Sequence, residues 1–170
     1  MAAGRSFRLP IWEILSRCML CTAGLVLSGY AFYVETSKEA DHSYTAMCDV
    51  SESVSCSKVF TSRFGRGFGL VEPILGADSP LNLPNSIFGL AFYIMQLCLG
   101  VVPGMSVSIV LLATSVLSCL GCVYLAYILY FILQDACIVC ISTYVVNTFM
   151  LIVNIKRVLL QRKAILKKQQ

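Results

Sequence analysis

The chain has 170 residues, of which 58% are hydrophobic and only 13% charged, with a formal net charge of +4 and nine cysteines. Soluble domains carry about 25% charged residues, so this chain has roughly half the charge that a water-exposed surface needs. That excludes a disordered chain, a coiled coil and a nucleic-acid-binding arm, and a mean hydropathy of +0.79 leaves one domain built for a membrane.

The N-terminal segment carries Arg5, Arg8 and Arg17. Glu13 and Arg17 stand at i,i+4 spacing, where they can pair on one helix face. The uncharged run Cys18–Val34 follows, and together these residues predict a first span over about 12–34. Read as a cleaved signal peptide, the segment offers a poor small-residue cleavage site, and its removal leaves three spans with mismatched ends. A polar loop over about 35–85 holds four basic and seven acidic residues. From Ser79 to Gln134 there is no Asp, Glu, Lys or Arg, a run of 56 residues. A helical span needs about 20 apolar residues, so this run predicts two spans, over about 86–102 and 105–131. Pro103-Gly104 makes the turn between them. After Asp135, residues 136–155 are charge-free again and predict a fourth span. A basic tail over 156–170 ends the chain with Lys156, Arg157, Arg162, Lys163, Lys167 and Lys168, and no acid.

The predicted fold is therefore an all-α membrane protein, one domain over 1–170, built as a four-transmembrane-helix bundle with a cap loop. The positive-inside rule puts both termini in the cytoplasm and the loop on the far side. An even number of spans demands the same parity. The ending Lys167-Lys168-Gln169-Gln170 matches the dilysine pattern that returns membrane proteins to the endoplasmic reticulum. The expected location is the endoplasmic reticulum membrane, with the loop in the lumen, where disulfides persist.

Cys-x-x-Cys occurs three times, so depth has to separate the copies. Cys18/Cys21 falls on the reducing side, and Cys119/Cys122 and the lone Cys98 lie in apolar helix. Burial there raises a thiol's pKa and leaves it inert, so these five read as packing residues. Cys137-Ile138-Val139-Cys140 opens the fourth helix on the lumenal side, where a helix N-terminus favours thiolate. The loop holds Cys48 and Cys56, either one structural disulfide or a mobile dithiol carrying electrons to Cys137/Cys140 by thiolate attack. What a dithiol at the membrane can reduce or oxidise must be lipid-soluble and able to take two electrons, and a quinone satisfies both. His42, the only histidine, reads as solvated, and no metal, haem, flavin or dinucleotide pattern appears. Gly65-Arg66-Gly67-Phe68-Gly69 lies in no βαβ unit and is no nucleotide loop; it reads as a flexible cap with Phe60, Phe64 and Phe68 as apolar anchors.

Several segments together resemble the vitamin K epoxide reductase family: Ala46-Met47-Cys48-Asp49-Val50, Ser55-Cys56-Ser57, Ser62-Arg63-Phe64-Gly65-Arg66-Gly67-Phe68-Gly69-Leu70, Pro84-Asn85-Ser86-Ile87-Phe88-Gly89 and Cys137-Ile138-Val139-Cys140-Ile141-Ser142-Thr143-Tyr144. The likeness runs from about Leu20 to Lys156. Leu125–Phe131 is more similar to the like-protein branch of vertebrate members, and Gly69–Glu72 to the reductase branch. The resemblance implies a bundle around a quinone pocket, with no tightly bound cofactor and vitamin K quinone or epoxide as substrate. It implies Cys137 and Cys140 as the active-site pair, with Cys140 reacting with substrate. It makes Cys48 and Cys56 a shuttle recharged by a dithiol reductant, a thioredoxin-like lumenal oxidoreductase. Asn85 and Tyr144 match residues that hydrogen-bond the substrate oxygens, a task for which an amide N–H and a phenol O–H are suited. Phe60, Phe88 and Phe92 match the aromatic wall. Inhibition by 4-hydroxycoumarins is implied as well, and the expected state is a monomer among membrane lipids. Phe64 stands where the family pattern has tryptophan, so no indole N–H is available there. Two readings compete with reduction: a quinone-driven disulfide-forming enzyme of the same fold, and a non-enzymatic four-span protein with a structural loop disulfide. Residue by residue, Asn85 also reads as a helix cap, and Tyr144, one turn after Cys140, as a packed helix residue.

Overall fold

The computed structural model describes residues 9–51, 54–76 and 78–169, without the side chains of Lys168 and Gln169. Arg5, Arg8, Glu52, Gln170 and the side chain of Lys168 thus lie outside the described residues, and with them most of the dilysine pattern.

Four long helices carry the fold: α1 (Ile11–Ala40), α4 (Asn85–Gly100), α5 (Met105–Tyr127) and α6 (Ile138–Gln169). Two five-residue helices, α2 (Cys56–Phe60) and α3 (Val71–Leu75), lie in the connection between α1 and α4. β-pairing among the described residues is limited to isolated bridges. Three helices are long and apolar enough to cross a membrane: Ile11–Ala40, Met105–Leu133 and Ile138–Lys167. The apolar α4 has 16 residues, about 24 Å at 1.5 Å per residue, short of a hydrocarbon core of about 30 Å.

Three of the long helices run further than the apolar spans read from sequence, while α4 ends at Gly100, two residues short of its span. α1 begins after Pro10 and continues past Val34 to Ala40, because Glu35, Lys38 and Glu39 end an apolar run without ending a helix. Lys38 Nζ then reaches the carbonyls of His42 (2.8 Å) and Tyr44 (2.7 Å) just beyond the C-terminus, where a cation is favoured. Gly104, with φ of +155°, makes the turn from α4 to α5. α5 passes into a π-helical turn over Ile128–Leu133, which Gln134 closes in a left-handed conformation. The basic tail continues α6 as helix to Gln169.

α1 packs along α4 and α6, and α5 packs along α6. Small residues permit the α1–α4 approach: Gly24 faces the Tyr93 ring, Gly89 faces Ser28, and Gly100 faces Arg17. At the end of the bundle holding the α1 N-terminus, a buried polar cluster ties the four long helices together. Arg17 donates to Glu13 Oε1 (2.6 and 3.0 Å), Gln96 Oε1 (2.9 Å) and Asn154 Oδ1 (2.8 Å). Arg157 donates to Glu13 Oε1 (3.2 Å), to Ser108 Oγ (2.7 Å) and to the carbonyls of Gly100 and Val102. Arg157 is therefore a bundle residue, 1% exposed, and not a charge on a solvated tail. Halfway along, Tyr93 donates to Asn147 Oδ1 (2.8 Å) and Asn147 Nδ2 donates to Cys122 Sγ (3.1 Å), so Cys122 sits in a packing contact.

Candidate functional site

The opposite end of the bundle carries Cys48, Cys56, Cys137 and Cys140. After α1, Val50 N–H donates to Val54 O (3.0 Å) and Val54 N–H donates to Ser51 O (3.1 Å). Ser55 N–H then donates to Ala136 O (3.0 Å), which registers the loop against the residue before Cys137. Ser55 also caps α2, its Oγ accepting from Lys58 N–H (3.3 Å). Cys56, as the first residue of α2, is thereby set against Cys137, and the two sulfurs are 3.8 Å apart across 81 residues of sequence. Cys48 and Cys56 are joined as a disulfide with Cα atoms 5.8 Å apart, while Cys137 and Cys140 are free thiols. Cys56 and Cys137 are fully buried, whereas Cys48 is half-buried. A water-soluble dithiol can meet Cys48 and not Cys56.

At the start of α6, Cys140 N–H points at Cys137 Sγ (3.2 Å). It is one of the donors that a helix N-terminus leaves without an intrahelical partner, and it favours a thiolate. Around the sulfurs lie Ala31, Leu129 and Val139, with Leu27, Tyr30, Val59 and Phe60 at the edge. Tyr30 donates from its phenol to Cys48 Sγ at 3.7 Å.

Beside Cys48, Asp49 gathers the loop. Its oxygens accept from Ala46 N–H (2.9 Å), Ser55 Oγ (2.9 Å), Ser57 N–H (3.0 Å) and Ser57 Oγ (2.6 Å). Burial pushes the carboxyl's pKa up, but the hydrogen bonds from Ser57, Ala46 and Ser55 outweigh it and hold it down at about 2. Sequence reading misses this role, because serines six and eight residues on meet Asp49 only once Val50 and Ser51 are paired with Val54.

Asn85 is not a helix cap. Pro84 occupies the N-cap, and the Asn85 amide turns to the glycine-rich loop, accepting from Phe68 N–H (2.9 Å) and donating to Phe64 O (2.6 Å). Gly67 N–H to Leu83 O and Asn85 N–H to Gly65 O, both 2.8 Å, complete the attachment. Held this way, the loop read as a cap forms a clasp on the start of α4. Gly67, Phe68 and Gly69 have φ of 51°, 58° and 69°, a left-handed run that glycine tolerates and phenylalanine rarely adopts. Arg66 fastens the clasp to α1 through Glu35 (3.1 Å) and Glu39 (2.7 Å).

The aromatic residues divide into groups. Phe68 packs on Phe88 with centroids 5.5 Å apart, Phe92 packs edge-on to Tyr93 at 5.1 Å, and Phe60 packs beside the Cys56–Cys137 cluster. The Phe64 ring lies against Gly69, with the Arg63 guanidinium 4.7 Å from its centroid. Tyr144 lines a different surface, an open cleft of about 340 Å³ with Ile141, Val145, Thr148 and Phe149. Contacts thus bring together the four lumen-assigned cysteines with Phe60, and Asn85 with Phe68 and Phe88. Tyr144 stands one turn beyond Cys140 on α6, at that separate cleft rather than among these contacts.

Comparison with known proteins gives concordant matches. The model of the vitamin K epoxide reductase family matches residues 15–155. Vitamin K epoxide reductase complex subunit 1 of Mus musculus is 53% identical over 144 residues, covering 85% of this chain and 89% of that protein. Its Rattus norvegicus counterpart is 51% identical over 142 residues, covering 84% and 88%.

Proposed function

The chain belongs to the vitamin K epoxide reductase family, and we propose on that footing that it is a membrane thiol oxidoreductase. It reduces vitamin K 2,3-epoxide to the quinone, and the quinone to the hydroquinone. The observation that carries this reading is the 3.8 Å separation of Cys56 and Cys137 sulfurs, one in a disulfide and the other a free thiol. Thiol–disulfide exchange proceeds by thiolate attack through a mixed disulfide, and this pair is within reach for it.

In the proposed cycle, Cys140 thiolate attacks the epoxide, whose oxygen leaves as water, and Cys137 resolves the adduct as the Cys137–Cys140 disulfide. Reduced Cys56 attacks Cys137, and Cys48 then closes on Cys56, returning the active-site pair to its thiols. The state described, with the loop pair oxidised and Cys137 and Cys140 free, has the electron distribution that follows inward transfer. Cys48 is the contact for a thioredoxin-like oxidoreductase. Asn85 keeps one amide hydrogen beyond the bond to Phe64, and with Tyr144 it hydrogen-bonds the substrate oxygens. Phe60, Phe88 and Phe92 form the apolar wall. No tightly bound cofactor is required, and 4-hydroxycoumarins compete for the same pocket.

The proposed topology has four spans, the shorter α4 included, with both termini cytoplasmic in the endoplasmic reticulum membrane. It is supported by the Glu13–Arg157 ion pair, which holds the first and last long helices together at the same end of the bundle.

The test is turnover by the purified protein in detergent with a dithiol reductant and vitamin K epoxide. Wild type forms quinone, and Cys140→Ala loses at least about 100-fold. Absence of quinone formation by wild type, or full activity of Cys140→Ala, overturns the proposal.

A further inference from the structure

We propose that Tyr30 is a catalytic hydrogen-bond donor of the thiol relay, serving the Cys48 sulfur in the step that makes or breaks the Cys48–Cys56 bond. The inference rests on the relay proposed above. Four atoms from four elements meet in sequence. Tyr30 Oη from α1 is 3.7 Å from Cys48 Sγ in the loop, Cys48 is bonded to Cys56 on α2, and Cys56 Sγ is 3.8 Å from Cys137 Sγ ahead of α6. Nucleophile, central sulfur, leaving sulfur and donor are all present.

When Cys137 thiolate attacks Cys56, the Cys137–Cys56 bond forms and the Cys56–Cys48 bond breaks. The electron pair of the broken bond leaves on Cys48, which becomes the thiolate, so a disulfide is exchanged without net oxidation. Negative charge therefore arises on the sulfur that faces the phenol. Hydrogen bonds to charged groups are stronger than those to neutral ones, so the contact tightens along the reaction and lowers its barrier. The recharging direction is the reverse, with Cys48 as attacking thiolate. There the donor raises the thiolate fraction at neutral pH, while nucleophilicity falls less steeply than basicity. The donor thus speeds exchange both ways near neutrality.

Other groups near the step have different duties. Asp49 has its oxygens occupied by Ala46, Ser55 and Ser57. Lys58 pairs with Asp135 at 3.9 Å, and Tyr44 packs edge-on to Tyr33. Cys140 N–H serves Cys137.

The experiment uses the full-length Cys140→Ser protein in detergent, in which Cys137 exchanges with the loop disulfide but cannot close on position 140. Acid quenching and mass-tagging of free thiols follow the interconversion of Cys48–Cys56 and Cys56–Cys137 linkages across pH. Adding Tyr30→Phe slows interconversion by roughly tenfold at neutral pH, the size expected from one hydrogen bond to a developing charge, and moves its pH profile upward. Replacing Tyr30 with a ring-fluorinated tyrosine, a stronger donor in the same space, moves the profile downward and keeps the test open should phenylalanine impair folding. An unchanged rate and profile in both variants overturns the role of Tyr30 alone, as does a uniform loss at every pH with no shift. Absence of any Cys56–Cys137 linkage in the parent protein overturns the relay as well.

Discussion

Asp49 stands next to Cys48 in the chain, and its carboxylate collects two backbone N–H groups and two serine hydroxyls from Ala46, Ser55 and Ser57. The disulfide closes an eight-residue separation, so a loop without this hub still has both sulfurs but loses their placement against Cys137. Because the folded pKa is about 2, below the ordinary aspartate value of about 3.9, ionised Asp49 stabilises the fold. That contribution is fully present above the ordinary value and is lost as pH falls through the folded one. Asp49→Asn keeps one acceptor and loses the charge. The difference in thermal midpoint between wild type and Asp49→Asn should be constant from about pH 7 to 5 and shrink from about pH 4 towards 2. A difference that vanishes already between pH 7 and 5 would show that another group sets it. Residues of this kind mark the limit of reading from sequence. Depth and charge single out Cys48, Cys56, Cys137 and Cys140, because position along an apolar run is legible. The partners of Asp49 and Asn85 are not, because they are chosen by loop folding that carries no period.

Among elements, the helices follow from apolar runs, yet their ends do not. Hydropathy marks where lipid contact stops, whereas a helix stops where its terminal groups find other partners, as the α1 end does at Lys38 and Asp41. The π turn at Ile128–Leu133 is likewise silent in an unbroken apolar stretch. How closely two helices approach is also unreadable without the fold, and α1 shows this at two glycines of equal appearance. A Cβ on Gly24 would lie 2.2 Å from the Tyr93 ring, and that ring is 1% exposed and tethered to Asn147. A Cβ on Gly29 meets nothing within 4 Å. Gly24→Ala should therefore destabilise the bundle by about 1–3 kcal/mol through overpacking. Gly29→Ala should be neutral or stabilise by up to about 1 kcal/mol, because alanine is the better helix former. Denaturation in a single detergent with both variants side by side measures this. Equal effects would mean that helix propensity, not the α1–α4 approach, governs these positions.

On the scale of the whole molecule, the bundle has an end that holds the loop disulfide and a charged end. At the charged end, Glu13 Oε1 accepts from both Arg17 and Arg157, so two buried guanidinium groups share one buried carboxylate. Charge counting then makes an unequal prediction for the two sides of the cluster. Removing the acid leaves two cations with no counter-charge, whereas removing Arg157 leaves a matched Glu13–Arg17 pair. Leaving a buried charge uncompensated costs about 3–5 kcal/mol, which is the loss expected for Glu13→Gln. Arg157→Met releases the Ser108 hydroxyl and the carbonyls of Gly100 and Val102, and should cost about 1–3 kcal/mol for hydrogen bonds left unmade. The double variant has one cation facing one neutral amide, so it should be more stable than Glu13→Gln alone, a coupling that a double-mutant cycle reads directly. Unfolding of the four proteins in the same detergent decides the matter: Arg157→Met falling below Glu13→Gln, or strictly additive losses, would mean that hydrogen bonding and not charge balance holds this end of the bundle.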